Sequence, residues 1–333
     1  MRRKKRWVGG FNILGAAVLG ILVVSSGDAA AQAYPLRPIT MIVPFPAGGP
    51  SDTLARVLSE HMRGSLGQPI VIENVAGASG SIGVGRVARA APDGYTLTLG
   101  NWPTHVINGA VYALPYDLRT DFEPVSLIAN NPQLIVAKKA MPAQNLGEFI
   151  GWLRANPDKA SKGTSGVGSA IHVAGVFLQK ETGTRFQFVP YRGGAPAMQD
   201  LAAGQIDFMI DLAANALPHV RAGSIKAYAV TDKRRLPSAP EIPTVDEAGV
   251  PGLHVSTWFG LWGTKGTPKT VVTKLNAALV EALADPAVRK RFADLGQEMF
   301  PREQQTPQAL AAFHKAEIEK WWPIIKAAGI KAE

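Results

Sequence analysis

The chain has 333 residues, of which 46% are hydrophobic and 18% charged, enough apolar surface to exclude a disordered polypeptide. It contains no cysteine, which excludes disulfides, thiolate catalysis, cysteine-held zinc, iron–sulfur clusters and a lipid anchor on a processed cysteine. The formal charge of +9 suggests nucleic acid at first sight, but its distribution removes that reading.

Five of the basic residues, Arg2, Arg3, Lys4, Lys5 and Arg6, precede an apolar stretch from Phe11 to Val24, which ends at Ala31-Gln32-Ala33. A basic start, an apolar middle and an A-x-A site form a secretory signal peptide, so residues 1–33 are expected to be cleaved. The apolar run is short for a membrane span, which needs about 20 residues. Arg2-Arg3 is a poor twin-arginine match, which favours the general secretion route. Without this segment the chain keeps 30 basic and 25 acidic side chains. No basic run interleaved with aromatics remains, so nucleic-acid binding is not expected. The expected product is a soluble, periplasmic protein.

Taken in chain order, Pro38–Phe45 predicts a buried strand. Ser51–Leu66 predicts a helix capped by Ser51 and stopped by Gly67, with Leu54, Val57, Leu58 and Met62 on one face. Strand Pro69–Val75, helix Ser81–Ala90 and strand Tyr95–Gly100 follow. This β-α-β-α-β order implies a parallel sheet with helices on its faces. A second set comprises strand Gln133–Lys138, helix Leu146–Ala155, a strand ending near Thr164, helix Ala170–Glu181, strand Phe186–Tyr191, helix Ala195–Ala203, strand Ile206–Asp211, helix Asn215–Ala222 and strand Ile225–Val230. Strand Ser256–Gly263 and two long helices, Thr267–Ala284 and Thr306–Ala328, complete the chain. No linker or short-period repeat separates the two sets. The fold class is therefore α/β, with two lobes, each a mostly parallel sheet flanked by helices, and a ligand cleft between them.

Ligands of open parallel sheets bind beyond the carboxyl ends of the strands. Four of those ends are rich in glycine: Pro46-Ala47-Gly48-Gly49, Gly77-Ala78-Ser79-Gly80, Ser165-Gly166-Val167-Gly168-Ser169 and Tyr191-Arg192-Gly193-Gly194. Each leads into a helix, whose first amides and dipole attract an anion. One such turn by itself usually serves backbone geometry rather than binding. Four of them, shared between two sets, point to an anion held by converging helix starts.

Competing motifs fit less well. Gly83-Val84-Gly85-Arg86-Val87-Ala88 matches a dinucleotide fingerprint but lies inside a helix rather than at the strand-to-helix turn, so no cofactor is expected. No phosphate-binding loop occurs, and no nucleophile elbow surrounds Ser79, Ser165 or Ser169. No two histidines stand four apart, so no helical metal pair is expected. Glu317 and Glu319 read as solvated helix charges, and Trp321-Trp322 as packing.

Seven segments, in this order and spacing, resemble the receptor proteins of tripartite tricarboxylate transporters, the Bug family. They are YPLRPITMIVPFPAGGPSD (34–52), VIENVAGASGSIG (71–83), PDGYTL (92–97), YDLRTDFEPVSLI (116–128), SGVGSAIHVAG (165–175), VPYRGGAPAMQDLAAGQIDFMID (189–211) and RAGSIKAYAVTDKRRLPSAPEIPTVDEAG (221–249). The resemblance implies a monomeric, hinged binding protein without enzymatic activity. Residues 34–131 plus 254–333 would form lobe one and residues 132–253 lobe two. It also implies a small carboxylate ligand (a di- or tricarboxylate, an aromatic acid or an amino acid) held by turn amides and water. The partners would be membrane subunits of a tripartite tricarboxylate-type transporter, or a sensor protein.

By position, the resemblance assigns ligand binding to Ala47, Gly48, Gly49 and Asp52, and to Gly77, Ala78 and Ser79. Asn101 and His105 follow the third strand. Ser165, Gly168, Ser169, His172, Tyr191, Arg192 and Asp211 come from lobe two. Asp52 reads equally as a helix-start charge, Arg192 as a surface charge and Asp211 as a structural acceptor. Arg192 stands where the family commonly has lysine, which allows a bidentate anion contact. Trp102 and Trp258, if turned to the cleft, would favour an aromatic acid. The remaining rival is an exported hydrolase using Ser165 or Ser169 with His172, for which no orienting acid is evident.

Overall fold

The first strand, β1 (Ile39–Val43), is buried along nearly its whole length and opens a β-α-β run. Helix α1 (Pro50–Leu66) follows, with Leu54, Ala55, Leu58, Met62 and Leu66 buried on one stripe. It starts at Gly49 rather than at the expected Ser51. Pro50 occupies its first position, where a missing N–H costs nothing. Gly67, with φ 69°, ends it in the left-handed conformation as expected. Next come β2 (Ile70–Asn74), α2 (Ser81–Ala88) and β3 (Thr96–Asn101). Strands β2 and β3 both pair parallel to β1.

The segment after β3 holds elements the sequence reading missed: one π-helical turn, Pro103–Ile107, continuing into the short helix α3 (Asn108–Val111). Then β4 runs from Phe122 to Lys138, 17 residues, where only its last six had been expected. The strand contains two prolines, Pro124 and Pro132, neither of which can donate to a ladder. The strand accommodates them through register shifts near residues 124–129 and by pairing Pro132 with Ser256 at the end of its neighbour.

The second set follows the expected order closely: α4 (Leu146–Ala155), β5 (Ser161–Thr164), α5 (Ala170–Thr182), β6 (Gln187–Pro190), α6 (Gly194–Ala202), β7 (Phe208–Leu212), α7 (Ala213–Arg221) and β8 (Ile225–Val230). Strand β9 (Ser256–Thr264) and helix α8 (Lys269–Ala284) follow. A further helix, α9 (Pro286–Asp294), is capped by the Asp285 carboxylate and was not anticipated. The short β10 (Glu298–Met299) and α10 (Pro307–Ala327) end the fold.

The computed structural model describes residues 34–331, and the signal-peptide reading of residues 1–33 lies outside them. From Pro35 onward the chain is one compact unit. Its strands join in the order β2-β1-β3-β9-β4-β7-β5-β6, with β10 and β8 also paired to β4. The flanking strands are parallel as expected, but the middle is antiparallel: β9 against β3 and β4, and β4 against β7 and β8. The sheet is therefore mixed, because β4 and β9 re-enter from the opposite direction. Residues 122–132 of β4 pair with β9, whereas residues 133–138 pair with β7 and β8. One core cluster spans both ends of β4 and includes Phe177 and Trp321, whose ring centroids are 4.9 Å apart. Among the described residues, no helix is long and apolar enough to cross a membrane.

Candidate functional site

The turn after β1 exposes Ala47 and Gly48 and half-buries Gly49. Asp52, one turn into α1, is buried and holds this turn from beneath. Its carboxylate accepts from Gly48 N (2.9 Å), Arg56 Nε (2.9 Å), Arg56 Nη2 (3.0 Å) and Asn74 Nδ2 (3.0 Å). The Arg56 bonds lead in holding its pKa down at about 2. Asp52 is thus the organiser of the turn, and the Gly48 amide is already committed to it. Helix α1 has no side-chain cap. Asn74 also donates to Phe45 O (3.1 Å), so the ends of β1 and β2 are tied together.

The second turn exposes Gly77, Ala78 and Ser79. Ala78 and Ser79 take positive φ (44° and 53°), an unusual conformation for residues with a Cβ. The turn is fixed from the α3 side: Asn108 Nδ2 donates to Ser79 O (2.9 Å), and Ser79 Oγ lies 2.8 Å from Tyr112 Oη. Behind it, a Cβ on Gly80 would fall 2.7 Å from Thr104 Cγ2 and 3.0 Å from Pro44 O, so only glycine lets this turn settle onto the end of β1.

In the second set, Ser169 caps α5 by accepting from His172 N (3.2 Å), while His172 Nδ1 accepts from Gly168 N (3.1 Å). Burial, with the nearby Lys162 charge second, lowers the His172 pKa to about 4 and keeps the ring a neutral acceptor. Serine and histidine therefore build a helix start. Among the described residues, no hydrogen bond joins either Ser165 or Ser169 to the His172 ring, which leaves the hydrolase rival without a nucleophile–base pair. A Cβ on Gly168 would sit 3.0 Å from Val111 Cγ1, so this turn abuts the same α3 segment that holds Ser79.

Helix α6 starts at Gly193 without a side-chain cap. Arg192, just before it, is exposed, and its guanidinium makes no hydrogen bond or ion pair with a described residue. Tyr191 is half-buried and donates its hydroxyl to Asp200 (2.7 Å). Asp211 is buried beside Gly194, accepting from Leu212 N and Asn215 Nδ2. Burial pushes its pKa up. Lys162, fully buried on β5, donates to Ile171 O (2.7 Å). Burial brings its pKa down to about 7.

Several expected side chains are turned inward. His105 is fully buried and stacked on Trp262 at 4.0 Å, with its pKa pushed down chiefly by burial, so its ring packs the core rather than lining a surface. Asn101 is consumed locally, its Oδ1 accepting from Thr104 N (3.1 Å) and Thr104 Oγ1 (3.0 Å). Trp102 and Trp258 are both fully buried, Trp102 against Trp321 and Trp258 donating to Glu317 Oε2 (2.9 Å). Glu317, expected as a solvated charge, instead accepts from two indoles and has its pKa raised by burial. Two grooves on the described surface, of about 740 and 550 Å³, lie beside α10 and contain none of the glycine turns. Among the described residues, no group of three or more His, Asp or Glu side chains can hold a metal.

With the turns and their supports in view, the relatives decide the family. Residues 54–330 match the model of the tripartite tricarboxylate transporter family receptor. The chain belongs to that family. This receptor is 42% identical to the periplasmic binding protein BugD, with a TM-score of 0.76 over 90% of this chain and 100% of that one. MatC from Rhodopseudomonas palustris, solved with bound malate, is 40% identical, with a TM-score of 0.76 over 88% and 100% of the two chains. Rpa4515 of R. palustris, solved with adipate, is 35% identical, with a TM-score of 0.77 over 90% and 100%. The receptor is thus a solute-binding protein with the binding-protein fold, not an enzyme.

Proposed function

We propose that this receptor captures a small organic carboxylate and presents it to membrane subunits of a tripartite tricarboxylate-type transporter, working as a monomer in the periplasm after loss of residues 1–33. The observation that carries the reading is the pair of uncapped, glycine-led helix starts at α1 and α6, one on each side of β4. The first amides and the dipole of such a helix start favour an anion. The malate and adipate bound to MatC and Rpa4515 support the same ligand class.

In this reading residues 34–131 plus 254–333 form one lobe, residues 132–253 the other, and the ligand lies between them. The first lobe offers Ala47, Gly49, Gly77, Ala78 and Ser79; the second offers Ser165, Ser169 and Arg192. Closing is favoured only if the ligand touches both sides, since a ligand with equal affinity for open and closed forms shifts nothing. A thermal-shift screen of small carboxylates tests this. A ligand at 100 times its Kd stabilises the folded state by about 2.7 kcal/mol. A panel of mono-, di-, tri- and aromatic carboxylates that leaves the melting curve unmoved overturns the proposal.

A further inference from the structure

Five side-chain polar atoms in the middle of β4 have no partner, four of them on two residues that share a face, Asn131 and Gln133. Asn131 and Gln133 are both fully buried, and neither the nitrogen nor the oxygen of either carboxamide is hydrogen-bonded. The backbone there is satisfied: Thr231 Oγ1 accepts from Gln133 N (3.1 Å), and Thr231 N donates to Gln133 O (2.9 Å). Only the side chains are in deficit. Leaving a buried polar group unpaired is costly, and native proteins keep few such groups. Two positions further on, the same strand uses Ile135, which buries without that cost.

The register gives the location. Asn131 pairs with Thr257 of β9, and Gln133 with Leu212, the last residue of β7. On the other side, β3 ends at Asn101, opposite Phe259, one same-face step along β9 from Thr257. The two carboxamides therefore stand where the strands on both sides of β4 give way to their turns. Resting on the carboxylate reading above, we infer that Asn131 and Gln133 recognise a hydroxyl on the ligand, selecting a hydroxy acid over the corresponding plain acid.

The chemistry of the carboxamide sets this preference. It offers two N–H donors and one acceptor oxygen, so two of them need a group that both donates and accepts. A carboxylate only accepts, and would leave both carboxamide oxygens unpaired. A hydroxyl both accepts and donates, so it can pair with the N–H groups and with one of the carboxamide oxygens. The ligand's carboxylate belongs at the glycine turns, and its hydroxyl at β4.

Titration calorimetry on the protein with acid pairs that differ by one hydroxyl is the test: succinate and malate, propionate and lactate, phenylacetate and mandelate. In whichever pair binds, the hydroxy acid is expected to bind at least about tenfold tighter, as a site built to hydrogen-bond a hydroxyl rejects the analogue without it. Asn131→Leu and Gln133→Met should abolish that preference while leaving the plain acid's affinity within a few-fold. Equal affinity within a pair overturns the inference and leaves the carboxylate receptor standing. A preference that survives both substitutions also overturns it, because the carboxamides then hold only internal water. If no carboxylate binds at all, the functional reading falls and this inference with it.

Discussion

The hydroxyl oxygens of Ser79 and Tyr112 lie 2.8 Å apart, and the residue before Tyr112, Val111, is the one that Gly168 packs against. A short segment, 108–112, thus touches a turn from each of the two β-α sets. Any motion of one turn relative to the other has to pass through it. Gly168 is the tightest point of that contact, with φ 75° and no room for a Cβ beyond 3.0 Å from Val111.

Gly168→Ala is therefore expected to destabilise the fold by about 1–2 kcal/mol through the left-handed backbone alone, with a further loss from the clash. Adding Val111→Ala relieves the clash but not the backbone strain, so the double variant should recover only part of the loss. Chemical denaturation of both variants measures this. Full recovery in the double variant would show that φ at Gly168 is not the constraint.

Asp52 predicts an acid limit to stability. Its folded pKa is about 2, against 3.8 unfolded, chiefly because of the Arg56 hydrogen bonds. A lowered carboxylate pKa contributes stability that is present above pH 4 and lost as pH falls towards 2. The contribution is about 1 kcal/mol, less than the shift alone would give because Arg56 is largely exposed and screened by solvent. Asp52→Asn should remove that much at pH 7 and flatten the dependence between pH 4 and 2. A variant that melts like the parent at pH 7 contradicts the role given to Asp52.

These features differ in how far the sequence revealed them. Helix α4 matches its expected span residue for residue, because Asn145 caps it and Leu146, Phe149, Ile150 and Leu153 recur at helical spacing. The glycine turns were equally visible, since tight reversals leave a compositional mark. His105 and Trp102 were not: the direction of a side chain after β3 depends on the π-helical turn at 103–107, which no local pattern announced, and Trp258 lies in β9, buried along nearly its whole length so that alternation marks no face. The quartet Asn130-Asn131-Pro132-Gln133 concealed the long β4, because polar residues and proline normally end a strand, and only the pairing with β9 and β7 shows why they persist. Lys162 went unread, because nothing in the short run Ser161-Lys162-Gly163-Thr164 shows that its side chain is fully buried.

Lys162 makes the alkaline side of the stability curve informative. Unfolded, it titrates near 10.5; folded, near 7, because burial disfavours its charge. Between those values the unfolded chain holds a proton that the folded chain lacks, so stability should rise with pH from 7 to 10.5. The slope is at most about 1.4 kcal/mol per pH unit. Below pH 7 the lysine is charged in both states and the full cost of burying it remains. Lys162→Met should flatten this window and stabilise the protein more at pH 6 than at pH 10. Parallel curves for parent and variant would mean that Lys162 keeps its charge when buried.

Arg192 separates binding from folding most cleanly. It is exposed at the start of α6 and pairs with no described residue, so Arg192→Ala should leave the melting temperature of the free protein nearly unchanged. A guanidinium that meets a carboxylate in two parallel hydrogen bonds contributes more than a surface charge at a distance. Loss of such a contact is expected to weaken carboxylate binding about tenfold, or about 1.4 kcal/mol, with Arg192→Lys recovering only part because an ammonium cannot form the paired fork. Calorimetric titration at two salt concentrations distinguishes the cases. A contact predicts a loss that persists at high salt, whereas long-range attraction predicts a loss that fades as the Debye length shortens. Unchanged affinity at both salt levels would remove Arg192 from the site and leave anion capture to the turn amides alone.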